Sequence, residues 1–297
     1  MITVDTLTKT YGSRRAVDGL SFTVTGGRVT GFVGPNGSGK STTMRMMVGL
    51  TRPDSGNVAY NGHPYQSLPQ PARTIGVALD AAAHPGRSAR NHLRTLAAAS
   101  AIPAERVDVV LDEVGMTTAA GERVGGFSLG MRQRLALAGA LLGEPETLML
   151  DEPANGLDPD GIRWLRTFLR SYADRGGAVF VSSHLIGELA MFADDIVVIG
   201  AGRLLAAAPI ETIAGAATSA VIVETNQMDR FELLLQQNGL IAERDSGRLS
   251  IAGADRTAVA QLALDHQIRL DELTDHQASL EDVLVDLTHS SAEFASA

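Results

Sequence analysis

The 297-residue sequence predicts an α/β fold joined to a smaller α+β unit, and three observations carry that expectation. First, the short apolar runs at 30–34 (TGFVG), 147–150 (TLML) and 178–181 (AVFV) have the length and continuity of strands buried on both faces of a sheet. Second, each run ends in glycines, carboxylates or a Ser-Ser-His step, and helical patterns lie between them. Third, the charge is stepped. Residues 1–214 carry 20 acidic and 20 basic residues, whereas residues 215–297 carry 14 acids and five arginines, which puts a domain boundary after 214. The small, Gly/Ala-rich stretch 213–220 reads as the connector.

Composition narrows the classes. With 44% hydrophobic and 20% charged residues the chain is expected to fold, not to be disordered. Cysteine is absent, so disulfides, thiolate metal sites and cysteine nucleophiles are excluded, and a cytoplasmic setting is expected. No apolar run approaches the roughly 20 residues of a membrane-spanning helix, and the N-terminus reads as an alternating strand, not as a signal peptide. The net charge of −9, with 4% aromatics, argues against nucleic acid as a partner, because phosphate backbones demand a basic surface.

Taken in order, the strand at 30–34 runs into Gly34-Pro35-Asn36-Gly37-Ser38-Gly39-Lys40-Ser41 and then a helical stretch, 41–50. This fits G-x-x-x-x-G-K-[ST] between a strand and a helix, the context that a phosphate loop requires. Its glycines let successive N–H groups point at one anion, the helix N-terminus adds positive partial charge, Lys40 reaches the β- and γ-phosphates, and the Ser41 hydroxyl suits Mg²⁺. Thr42 follows inside the same turn. The strand at 147–150 delivers Asp151 and Glu152, which point to different sides because side chains alternate: Asp151 toward a metal shell, Glu152 toward an attacking water.

Between 85 and 135 the pattern is helical. Ser88 caps the stretch 88–93, and 107–114 carries apolar positions at spacings of three and four. The C-terminal piece reads as strand 220–224, helix 228–237, strands 241–244 and 248–251, helix 255–266, strand 268–273 and helix 280–287, the last opened by Ser279 with Asp282 three residues on. The order βαββαβ is that of a ferredoxin-like unit. His266, His276 and His289 are dispersed and read as surface residues, not metal ligands.

In these motifs and their order, residues 1–214 resemble the ATP-binding subunit of ABC transporters. Phe127-Ser128-Leu129-Gly130-Met131 is similar to the family signature, with a helix at 135–142 after it. Asn155-Gly156-Leu157-Asp158 is similar to the D-loop, and His184 to the switch histidine. Tyr11 lies where the family stacks an aromatic on adenine, although taken singly Tyr11 and His184 also suit packing and a solvated loop. The resemblance implies a P-loop NTPase with a mixed sheet core, an antiparallel β subdomain and a helical lobe at about 85–135. It implies ATP and Mg²⁺ as cofactors. Glu152, His184 and Lys40 would be catalytic, Gly34 to Thr42 with Ser128, Gly130 and Asp158 would surround the nucleotide, and Ser41 and Asp151 would hold the metal.

Three positions in two motifs depart from the family. Leu129 and Met131 stand where glycine and glutamine are usual, and Asp80 aligns with the family's loop glutamine. Asp80 either binds Mg²⁺ or nucleotide through its oxygen or is a solvated loop residue. The ending 280–287 is similar to that of ATPases which pair with ABC-2-type export permeases, including antibiotic-resistance exporters. The implied partners are therefore a second ATPase subunit, identical or paired, and a separate membrane permease that holds the chain on the inner face of the cell membrane. Import, or a soluble ABC ATPase without a membrane partner, are the alternative readings.

Overall fold

The computed structural model describes residues 1–184, 186–215, 219–245 and 247–277. They form two compact units, which part between residues 210 and 211.

The first unit opens with a hairpin, β1 (Ile2–Tyr11) and β2 (Arg14–Val24), and continues through β3 (Val29–Val33), α1 (Lys40–Met47), β4 (Ser55–Tyr60), β5 (His63–Pro64), α2 (Pro71–Thr74) and β6 (Ile75–Ala78). Three helices follow: α3 (Ala89–Ala99), α4 (Arg106–Glu113) and α5 (Leu129–Leu141). The chain then runs through β7 (Thr147–Asp151), α6 (Pro159–Asp174), β8 (Ala178–Ser183), α7 (Ile186–Ala190), β9 (Asp195–Gly200), β10 (Arg203–Pro209) and α8 (Ile210–Gly215).

Two sheets result. β2-β1-β4-β5 is antiparallel, and β10-β9-β3-β8-β7-β6 is mixed, with β10 running against five parallel strands. Every residue of β3 is buried, as an apolar run between two parallel neighbours requires. The sheets are joined by Phe22 on β2, Phe32 on β3 and Phe180 on β8, whose ring centroids lie 5.1–5.6 Å apart.

The helical stretch is capped at both ends that matter. Ser88 Oγ accepts the Asn91 N–H at 3.3 Å, and Ser128 Oγ accepts the Met131 N–H at 3.2 Å; such caps each stabilise a helix by about 1 kcal/mol. Helix α5 therefore begins at Leu129, six residues before the expected start at 135, because Ser128 supplies the cap.

The second unit contains β11 (Ser219–Glu224), α9 (Met228–Gln237), β12 (Ala242–Asp245), β13 (Arg248–Ala252), α10 (Arg256–Asp265) and β14 (Glu272–Gln277). The sheet order is β12-β13-β11-β14, antiparallel throughout, which is the ferredoxin-like arrangement. Its core is Val221, Val223, Phe231, Leu235, Leu249, Ile251, Val259, Ala263 and Ile268.

The last strand starts four residues later than the expected 268. The Ile268 N–H closes α10 onto the Ala263 carbonyl at 2.8 Å while its side chain is buried, so this apolar residue ends a helix instead of opening a strand. The expected helix 280–287, with Ser279 and Asp282, and His289 lie outside the described residues.

Candidate active site

The site is built at the carboxyl ends of β3, β7 and β8. Gly39, immediately before α1, has φ of 108°, and a Cβ there would stand 2.4 Å from the Ala16 carbonyl oxygen. Only glycine permits both the left-handed turn and that approach. The loop 34–41 can therefore turn straight into α1, whose first-turn N–H groups at Lys40, Ser41 and Thr42 have no acceptor within the helix. The Thr43 N–H and hydroxyl both donate to the Gly39 carbonyl at 2.9 Å, which fixes that turn. The Ser38 hydroxyl is buried with no hydrogen-bond partner among the described residues. An orphaned hydroxyl beside unsatisfied N–H groups is a cradle that fits an anion.

Lys40 is only 6% exposed and folds back over its own loop. Its ammonium donates to the Gly34 carbonyl at 2.6 Å and to the Pro35 carbonyl at 3.4 Å, and lies 3.7 Å from Glu152 Oε1. The second Glu152 oxygen is 2.7 Å from His184 Nδ1. Glu152 thus links the lysine to the imidazole.

Glu152 follows β7 with φ of 49°, an uncommon conformation for a side-chain-bearing residue. Ser182 holds it there. The Glu152 N–H donates to Ser182 Oγ at 2.9 Å, and the Ser182 hydroxyl donates to Asp151 Oδ1. Strand pairing sets this up, since Asp151 and Ser182 are directly opposed in β7 and β8. Asp151 Oδ2 and the Ser41 hydroxyl have no described partner, and such an oxygen-only donor set suits a hard divalent cation.

The segment 127–131 lies against 155–158. A Cβ on Gly130 would be 3.2 Å from Leu157 Cδ2 and 3.3 Å from the Gly156 carbonyl oxygen. Leu129 covers Gly156 so closely that a Cβ there would meet its Cδ2 at 2.2 Å. The leucine at the unusual position is therefore engaged with Gly156. Asp158 caps α6 by accepting the Gly161 N–H at 2.7 Å.

Among the described residues, then, Lys40, Glu152, His184 and, through Ser182, Asp151 converge. Asp80 is exposed, two residues beyond β6, and its Oδ1 accepts the Ala82 N–H at 3.0 Å. Tyr11 is half exposed at the end of β1, with the Lys9 ammonium 5.6 Å from its ring centroid. Pro35, Asn36 and Gly37 are exposed along the outer rim of the loop. Two participants escaped the sequence reading: Ser182, and Arg14, whose Nη2 donates to the Gly37 carbonyl at 3.0 Å. Neither carries a motif, and both reach the site through strand pairing.

The family model described as "ABC transporter" matches residues 17–155, and one described as a domain of unknown function matches residues 219–281. The chain is 35% identical to the uncharacterized ABC transporter ATP-binding protein YhcH of Bacillus subtilis, across 97% of this chain and 95% of that one. It is 34% identical to the bacitracin transport ATP-binding protein BcrA of Bacillus licheniformis, across 95% of each. Among solved structures it is similar to an ATP-binding subunit of an ABC transporter, with a TM-score of 0.66 and 25% identity, covering 73% of this chain and 92% of that one.

Proposed function

Because the chain belongs to the ATP-binding proteins of ABC transporters and is an ATPase of that type, we propose that it is the motor of an exporter and works as a head-to-tail pair. The observation that carries the ATP-hydrolysing part of this reading is the convergence of Lys40, Glu152 and His184 beside the loop 34–41. Likeness to a bacitracin transport protein along nearly its whole length, the second unit included, supports a transport role, and likeness to a Nod factor export ATP-binding protein supports the outward direction.

ATP lays its phosphate tail on the N–H groups between Gly37 and Thr42, and Tyr11 stacks on the base. Lys40 leaves the Gly34 carbonyl for the β- and γ-phosphates, which also withdraws its charge from Glu152. Glu152, braced by Ser182 and His184, then takes a proton from the water that attacks the γ-phosphate, and His184 stabilises the charge that develops. Mg²⁺, held by Ser41 and Asp151 with Asp80 as a further oxygen donor, would neutralise phosphate charge. Ser128, Gly130 and the N-terminus of α5 complete the pocket of a second copy, with Asp158 beside them. Positioning and electrostatics provide most of the rate.

No helix among the described residues is long and apolar enough to cross a membrane. In this reading a separate ABC-2-type permease holds the motor against the inner face of the membrane, and nucleic acid has no part. The test is Glu152→Gln, analysed by gel filtration with ATP and by phosphate release. ATP-bound pairs should accumulate while turnover falls about 10²- to 10⁴-fold. A variant that hydrolyses at the normal rate removes Glu152 from the role.

A further inference from the structure

The hairpin β1–β2 carries three neighbouring cations, Lys9, Arg14 and Arg15, and two of them are matched. The Lys9 ammonium lies 2.9 Å from Asp54 Oδ1, and Arg15 Nη1 lies 2.7 Å from Asp18 Oδ1. Arg14 differs. Tyr11 and Arg14 are opposed across the turn at Gly12-Ser13, and from there the guanidinium reaches the rim of the loop and donates to the Gly37 carbonyl at 3.0 Å. A Cβ on Gly37 would stand 3.3 Å from that nitrogen. No described carboxylate pairs with Arg14. A carbonyl satisfies one of its five donors and offsets none of its charge.

An uncompensated guanidinium beside an anion cradle adds to the local positive potential and has further N–H groups available for phosphate oxygens. The loop's own cation is meanwhile partly neutralised, since Lys40 faces Glu152 at 3.7 Å. We infer that Arg14 is a second cationic contact for the phosphate tail of a nucleotide bound in the same chain. It binds triphosphate more strongly than diphosphate because the outer phosphate brings the additional charge. The inference rests on reading residues 34–41 as the phosphate loop, and it assigns substrate binding to a position that carries no motif.

The experiment measures ATP and ADP affinity by calorimetry on the full chain with Arg14→Ala, Arg14→Lys, Arg14→Gln and Arg15→Ala, at two salt concentrations. Arg14→Ala should weaken ATP about tenfold and ADP less, with a shallower salt dependence, as loss of a charge-assisted contact implies. Arg14→Lys should restore most of the affinity. Arg14→Gln, which still has an N–H for the Gly37 carbonyl, should resemble the alanine variant, while Arg15→Ala should stay within about twofold of the parent, as for an exposed ion pair.

Wild-type affinity in Arg14→Gln overturns the assignment, because the side chain would then be a brace for the loop and nothing more. Equal losses in Arg14→Ala and Arg15→Ala also overturn it, since only the general field of the hairpin would be at work. Lys40→Ala, run in parallel, separates the two readings. Lost binding there with unchanged binding in Arg14→Ala removes Arg14 alone, whereas unchanged binding in both removes the phosphate loop as well.

Discussion

Residues 1–210 and the unit that begins at residue 211 are both built from sheet and helix, yet they bury different chemistry. The second unit surrounds Phe231 and Leu235 with Val, Leu, Ile and Ala, and its buried polar residue Thr225 is satisfied, donating to the Arg269 carbonyl at 2.6 Å and accepting the Gln227 N–H at 3.2 Å. Its ions pair at the surface, as Arg244 does with Asp229 and Glu232. The first unit instead buries Lys40, leaves the Ser38 hydroxyl without a described partner and holds Glu152 in a left-handed conformation. Each of those features is unfavourable on its own. All three lie at the carboxyl ends of β3 and β7, where an open parallel sheet binds its ligand. Other exceptions occur singly elsewhere, such as Gln267 with φ of 54° and the unpartnered His92 Nδ1, but only beside the loop 34–41 do a buried cation, an orphaned hydroxyl and a left-handed carboxylate come together among the described residues.

That contrast can be broken from either side. Phe231→Ala should have the largest effect on folding, lowering the stability of the second unit by about 3–5 kcal/mol through the cavity it leaves. Urea unfolding followed by circular dichroism should show the early transition, while ATP affinity of the first unit stays at the parental value. A matching loss of ATP affinity would mean that the two units do not divide the work in this way.

Ser182→Ala should act in the opposite sense and more gently. It removes one bond from the Glu152 N–H and one to Asp151, so turnover should fall about tenfold, roughly 1.4 kcal/mol, with KM nearly unchanged. Steady-state kinetics decide this, and a rise in KM at constant kcat would show that Ser182 does not act through Glu152.

The sequence makes legible whatever is local in it. The loop 34–41, the acid pair after 147–150 and helix α9 depend on residues that are neighbours in the chain, and the structure has them where the pattern puts them. Ser182 became visible only when β7 and β8 paired, and Arg14 only when the hairpin lay against Gly37. Ile268 misled because an apolar residue serves a helix exit as well as a strand, and periodicity over so few residues cannot separate the two. Leu129 is a similar case, since its place over Gly156 is a tertiary contact between segments 27 residues apart in sequence.

The central claim is that one chain supplies Lys40 and Glu152 to a nucleotide while a second supplies Ser128. The rate of ATP hydrolysis per chain, followed over serial dilution at saturating ATP and Mg²⁺, tests it directly. The rate should fall steeply once the chains separate and return on reconcentration. A rate per chain that stays constant through the whole dilution series, with no pair detected when nucleotide is trapped, would contradict it.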